Sequence, residues 1–161
     1  MKKLLSIALV VTMLFACVAA AVPVSAAKSG DFSYSVNDDG TTATITGYNG
    51  TETDVIIPSV IDGYTITRIG WSAFDGCTSL ASITIPSSVT SIGGDAFRDC
   101  TRLSSVTIPE NVTSIGWGAF ENCTSLASVT IPKSVTSIEE TAFIGCGLKH
   151  VLYAGQRKNG I

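Results

Sequence analysis

Four of the five cysteines, two tryptophans and one histidine are the side chains of this 161-residue chain best suited to chemistry, the fifth cysteine, Cys17, falling in the leader-like segment that a mature chain would lack. Cys77, Cys100, Cys123 and Cys146 lie 23 residues apart. An even number of cysteines in an exported chain points to disulfides. On successive turns of a repeat their Cα atoms would stand about 5 Å apart, within bridging range, but with parallel Cβ vectors. The row therefore reads as four buried free thiols filling apolar space. A zinc site needs converging thiolates, which a linear row does not supply, and no metal or other cofactor is expected. His150 has no Asp or Ser fixed near it by the sequence and reads as an exposed residue of a terminal strand. Asp75, Arg98, Glu121 and Ile144 share one repeat position, so no ladder of carboxylates for acid–base work exists there. Asp38-Asp39-Gly40 reads as a turn before it reads as a calcium loop. No enzyme is expected.

Trp71 and Trp117 are the sharper feature. They occupy one repeat position two turns apart, with Gly94 between them and Glu140 after. Stacking predicts two indoles on one face about 10 Å apart over a glycine gap. Tryptophan is enriched among residues that dominate binding energy, and such a gap could admit a sugar ring or a side chain. The plainer alternative is that each indole lies flat over its own turn. A second candidate surface is formed by Ser82 and Thr84, Ser105 and Thr107, and Ser128 and Thr130. These predict two parallel hydroxyl rows on a flat strand face. They suit an extended peptide or a glycan, or serve only as exposed strand residues that resist edge aggregation.

The elements that position these residues follow from the repeat itself. Three units can be quoted in full: IGWSAFDGCTSLASITIPSSVTS (69–91), IGGDAFRDCTRLSSVTIPENVTS (92–114) and IGWGAFENCTSLASVTIPKSVTS (115–137). A fourth (138–155) has lost one residue after Cys146 and then departs. A period between 20 and 29 residues is the signature of a solenoid with one coil per unit. Leu80, Ile83, Ile85, Val89, Ile92, Ala96, Phe97 and Cys100 are the inward set of a coil. Ile83 and Ile85 alternate with Thr84, which predicts a strand ended by Pro86; Val89 to Ile92 predicts a second short extended segment. The Ala73-Phe74 segments are expected on helical or 3₁₀ turns. Upstream, Phe32, Tyr34 and Val36, the turn Asn37-Asp38-Asp39-Gly40, and Ala43 and Ile45 predict a β-hairpin covering the open end of the stack.

Composition narrows the function further. Ser and Thr make up 38 residues, and only 14% of the chain is charged, with a net charge of −3. Nucleic-acid binding needs a basic face, so none is expected. Mean hydropathy is +0.40, raised by residues 1–26, which read as a secretory signal peptide: Lys2 and Lys3, an apolar run from Leu4 to Phe15, and the small-residue site Val24-Ser25-Ala26. Twelve apolar residues are too few to span a bilayer, which takes ~20, so no membrane span is expected in the mature chain. Leu14-Phe15-Ala16-Cys17 partly resembles a lipobox, which makes a lipoprotein anchored through Cys17 the alternative.

The units resemble the BspA-like class of bacterial leucine-rich repeats, whose repeat runs Leu-x-x-Ile-x-Ile-Pro-x-x-Val-x-x-Ile-Gly-x-x-Ala-Phe-x-x-Cys. The match covers about 52–155, and the Ile61-Asp62-Gly63-Tyr64 insertion is also similar to that family. The resemblance implies a right-handed leucine-rich-repeat β-solenoid with short parallel strands. It implies a secreted or cell-surface protein that binds a host or bacterial surface protein or a glycan, in adhesion to matrix or to other cells. The alternative is a structural spacer, or a fragment of a larger surface protein, with no ligand of its own. The expected organisation is a signal peptide (1–26), an N-terminal β cap and lead-in segment (27–68), four repeats (69–155) and a tail (156–161) where the terminal unit reads as truncated.

Overall fold

The computed structural model describes residues 27–154; residues 1–26, on which the signal-peptide and lipobox expectations with Cys17 fall, and those from 155 onward lie outside the described residues. The chain begins as an antiparallel meander of β1 (Ala27–Ser29), β2 (Phe32–Val36) and β3 (Thr42–Tyr48). The turn between β2 and β3 closes where the sequence places it. Gly40 adopts φ 67°, and the backbone N–H groups of Thr41 and Thr42 donate to Asp39 Oδ1 at 2.8 and 2.7 Å. The cap is therefore held by an Asx-type turn, in which a side chain replaces a backbone acceptor.

A lead-in segment follows: β4 (Asp54–Ile56), β5 (Val60–Ile61) and β6 (Tyr64–Ile69). Asp62 and Gly63, both with positive φ, make the tight turn joining β5 to β6. Tyr34 in the cap donates its hydroxyl to Asp62 Oδ2 at 2.7 Å and ties the two regions together. The repeats then supply β7 (Ser82–Thr84), β8 (Ser91–Ile92), β9 (Ser105–Thr107), β10 (Ser114–Ile115), β11 (Ser128–Ile131), β12 (Ser137–Ile138) and β13 (His150–Tyr153).

These strands form two sheets. One runs β13-β11-β9-β7-β4, parallel throughout. The other runs β1-β2-β3-β6-β8-β10-β12 and turns from antiparallel to parallel at β3–β6. The cap is thus the first part of a solenoid sheet as well as a cover. Because β4 pairs in register with β7, the lead-in segment adds a coil of its own ahead of the repeats. The residue lost after Cys146 is absorbed before β13, where His150 still faces Ser128.

The third side of each coil differs from the expected helical or 3₁₀ turns: no residue among those described is helical. Two left-handed positions per turn interrupt any helix. One is held by Ser72, Asp95 and Gly118 (φ 54°, 53° and 61°), the other by Gly76, Asp99, Asn122 and Gly145 (φ 69°, 55°, 57° and 70°). As a result, alternate N–H groups leave the turn. Those of Ser72, Phe74 and Gly76 reach Gly94, Ala96 and Arg98 carbonyls of the next coil at 3.0, 2.8 and 2.8 Å, while those of Asp75 and Cys77 close β-turns within the coil. Each turn is thereby bonded both to itself and to its neighbour.

All eight predicted inward residues of a coil are buried. Phe74, Phe97, Phe120 and Phe143 stack face to face with centroids 5.1–5.2 Å apart, and Tyr48 of the cap continues the column onto Phe74 at 5.3 Å. The far end is uncovered among the described residues, where Ile138, Ile144, Val151, Leu152 and Tyr153 are exposed.

Candidate ligand-binding edge

Rows of chemically equivalent residues appear where the repeat predicts them. Ser82 faces Ser105, and Thr107 faces both Thr84 and Thr130. All six hydroxyl residues are exposed except half-buried Ser82, whose hydroxyl bonds to the Asp54 carboxylate one coil earlier. At the far end of the serine row stands His150, beside Ser128 and exposed. The sequence did not reveal this neighbour, because the pairing depends on the lost residue being absorbed in a loop.

The cysteines are free thiols. Cys100 and Cys123 are buried, whereas Cys77 and Cys146 are half-buried, which the sequence reading of four equally buried thiols missed. Cys146 lies in the last described coil, with no further coil packed beyond it among the described residues. The thiols of Cys100, Cys123 and Cys146 donate to the carbonyls of Phe74, Phe97 and Phe120 at 3.1, 3.1 and 2.9 Å. They therefore pin one coil to the previous one as well as filling space. Burial pushes the Cys100 thiol up to about 12 and also raises Cys77. Interaction with the neighbouring Cys146 thiol, then burial, drives Cys123 upward, and the same interaction lowers Cys146. The raised thiols, held neutral in this way, are poor nucleophiles and poor metal ligands.

The turn edge carries the tryptophans. Trp71 is 73% exposed and Trp117 52%. The coils approach closely beneath them because Gly70, Gly93 and Gly116 form a row. A methyl group on any of the three would come within 2.6–2.8 Å of backbone in the preceding coil. Trp71 does not lie flat over its own turn. Its indole N–H donates to Asp95 Oδ2 in the next coil at 2.9 Å, so the ring leans toward Gly94. A methyl on Gly94 would stand 3.9 Å from Trp71 Cδ1, so the glycine gap is partly filled by Trp71 itself. Trp117 makes no such bond, since its next-coil counterpart of Asp95 is Thr141.

Asp95 is the residue that sequence reasoning missed. It is 4% exposed, the one buried polar or charged residue among those described, and its Oδ1 has no hydrogen-bond partner. It fits because Gly118 has no side chain; a methyl there would overlap Asp95 Oδ1 and approach Glu121 Oε2 at 3.2 Å. The available signal was an acidic residue at a left-handed position followed, one period later, by glycine. Nearby, Arg98 makes a two-pronged pair with Asp75 (3.1 and 3.0 Å), and Asn122 donates to Asp99 at 2.9 Å.

Two clefts lie elsewhere and contain none of the predicted site residues. One, of about 290 Å³, is lined by polar groups including Tyr48, Asn49, Glu52, Asp75 and Cys77. The other, about 390 Å³, lies beside the hairpin turn. No helix among the described residues is long and apolar enough to cross a membrane.

Comparison with known proteins places this architecture. A crystal structure of a leucine-rich repeat protein from Bacteroides capillosus superposes with TM-score 0.73 and 35% identity, over 81% of this chain and 99% of its own. One from Bacteroides ovatus gives 0.71 and 31%, over 79% of this chain and 37% of its own. The T. pallidum leucine-rich repeat protein gives 0.64 and 28%, over 79% and 71%. A search of curated proteins returned no match. The BspA type leucine-rich repeat region matches residues 51–159 in six copies. With the stacked parallel coils and the buried Leu, Ile, Val, Phe and Cys rows, that match makes the chain a member of the BspA-type leucine-rich repeat family.

Proposed function

We propose that the mature chain is a secreted or cell-surface binding protein, acting in adhesion to a matrix protein, a glycan or another cell. Its contact surface on this reading is the turn edge bearing Trp71 and Trp117. The observation that carries this is their exposure. Across the three full repeats (69–137) the fold buries every other aromatic, Phe74, Phe97 and Phe120, yet leaves these two indoles exposed. Large amphipathic rings that do not serve a core are the residues most often used as binding anchors. The signal-peptide pattern over residues 1–26 supports export, and the family's name-bearing fold is a scaffold for surfaces more than for catalytic pockets.

The test is an array of matrix proteins and glycans probed with three proteins: the wild type, Trp71→Ala/Trp117→Ala, and a strand-face variant with Ser105, Thr107, Ser128 and Thr130 changed to Ala. The expected result is loss of binding in the tryptophan variant only. Loss in the strand-face variant alone would move the site to the hydroxyl rows, and equal binding by all three would sink both surfaces. A second reading, a structural spacer without a ligand, is favoured by the apolar end at Ile138, Ile144 and Val151, which is exposed among the described residues. Absence of binding by the wild type would select it.

A further inference from the structure

Repeat proteins invite comparison of each coil with its neighbours, because whatever the coil needs for folding recurs. Asp95 does not recur. The equivalent positions are Ser72, Gly118 and Thr141, so the fold is built without a carboxylate there three times over. In its own coil the carboxylate is buried, one oxygen is unpartnered and the backbone is left-handed. Each of these costs stability. Its side chain makes one hydrogen bond, from the indole of Trp71. Two more departures from the repeat accommodate the arrangement: Gly94 leaves room for the ring, and Gly118 leaves room for the carboxylate. Three residues from two coils, Gly94, Asp95 and Gly118, thus combine around one exposed indole.

Resting on the reading that this edge is the binding surface, we propose that Asp95 is a positioning residue that clamps Trp71 as a rigid stacking platform, and that the occupant is the ring of a pyranose sugar. Immobilising the ring before binding removes the entropy that a free side chain would lose on contact. The surroundings favour a sugar over a protein. A protein interface places its anchors within a wider apolar core, whereas beside Trp71 on this edge stand Ser72, Gly94 and Asp95 and, further along, Gly118 and Glu121, with Trp117 two coils on. A pyranose offers a face of weakly positive C–H bonds, which suits the negative face of an aromatic ring, and a rim of hydroxyl donors, which suits carboxylate acceptors. Glu121, half-buried, brings its Oε2 to the same Gly118 position that Asp95 Oδ1 occupies and offers a carboxylate acceptor there.

The experiment follows the indole resonance of Trp71 by ¹⁵N relaxation and by titration with cellobiose, lactose, maltose and diacetylchitobiose, with a non-glycosylated peptide library as the comparison arm. In the wild type the Trp71 Nε1 order parameter should match the backbone, and at least one sugar should shift it. Asp95→Ser, which copies the folded coil containing Ser72, should lower that order parameter to side-chain values and weaken sugar binding at least tenfold without lowering the melting temperature. Asp95→Asn, which keeps an acceptor oxygen, should restore both. An equally ordered indole in Asp95→Ser would overturn the clamp. Shifts by peptides and by none of the sugars would overturn the ligand class. Binding that survives Trp71→Ala/Trp117→Ala would instead overturn the reading of the edge on which the proposal rests.

Discussion

A methyl group on Gly93 would meet the Gly70 carbonyl carbon at 2.8 Å, the Trp71 nitrogen at 2.9 Å and the Ile69 carbonyl oxygen at 3.0 Å. All three are backbone atoms and cannot swing aside. Gly93→Ala should therefore cost about 1–3 kcal/mol, as overpacking does, while Gly94→Ala, with its nearest contact at 3.2 Å, should cost less. Urea unfolding of the two variants checks this, and equal midpoints would refute it. The thiol row supports a second residue-level expectation. With Cys100 held to about 12 by burial and Cys123 also raised, neither thiol should react with a disulfide reagent at pH 8 in the native protein, and both should react in urea. Rapid native labelling of either would contradict the packing. Phe97, fully buried between two stacked rings, should cost about 3–5 kcal/mol on truncation to Ala, and half-buried Phe143 at the end of the column should cost less.

Among the elements, the hairpin cap has its own acid sensitivity. The Thr42 hydroxyl first, then the backbone N–H groups of Thr41 and Thr42, hold Asp39 at about 2, below its ordinary 3.8. A depressed carboxylate stabilises the fold when ionised. Its contribution is complete above about pH 4 and is lost as pH falls through 2. Amide exchange at Thr41 and Thr42 should accelerate over that window in the wild type, and Asp39→Asn should flatten the dependence. This hairpin, the strand positions and the inward set were legible in the sequence, because alternation and a 23-residue period report burial directly. The turns were not. Their left-handed positions are filled by Ser, Asp, Gly and Asn in different coils, so no single residue type marks them, and Ala-Phe alone looks helical. β1 was also unseen, since Ala27-Lys28-Ser29 carries no alternating apolar pattern although its partner β2 is adjacent, and the Tyr48 ring over Phe74 depends on a partner in a later coil. The site was half legible: Trp71 and Trp117 stood out by position, but Asp95 gains its burial from a side chain that Gly118 lacks, and from a ring reaching over from the preceding coil.

At the scale of the molecule, order should decline toward one end. The coil over 92–114 has neighbours on both sides, and its Phe97, Cys100 and Leu103 are fully buried. Among the described residues, the coil bearing β12 and β13 is covered on one side only. In a solenoid each coil is stabilised by its neighbours, so hydrogen exchange should be slowest over 92–114 and fastest over β12 and β13. A uniform exchange profile would mean that the stack unfolds as a single unit. Adding coils beyond β13 should slow exchange there without altering the cap.

The bonds between coils join residues 23 positions apart, and two of the units are nearly identical in sequence. Genes built this way are prone to unequal recombination, which removes or duplicates whole units. Loss of 92–114 would leave every strand with a matching partner and every core row continuous, so the shortened protein would still fold. Trp71 would then stand directly against Trp117, with neither Asp95 to hold it nor Gly94 to receive it. The fold is therefore tolerant of such an event, whereas the proposed clamp is not, and selection for a held Trp71 would register as selection on the number and order of the repeats.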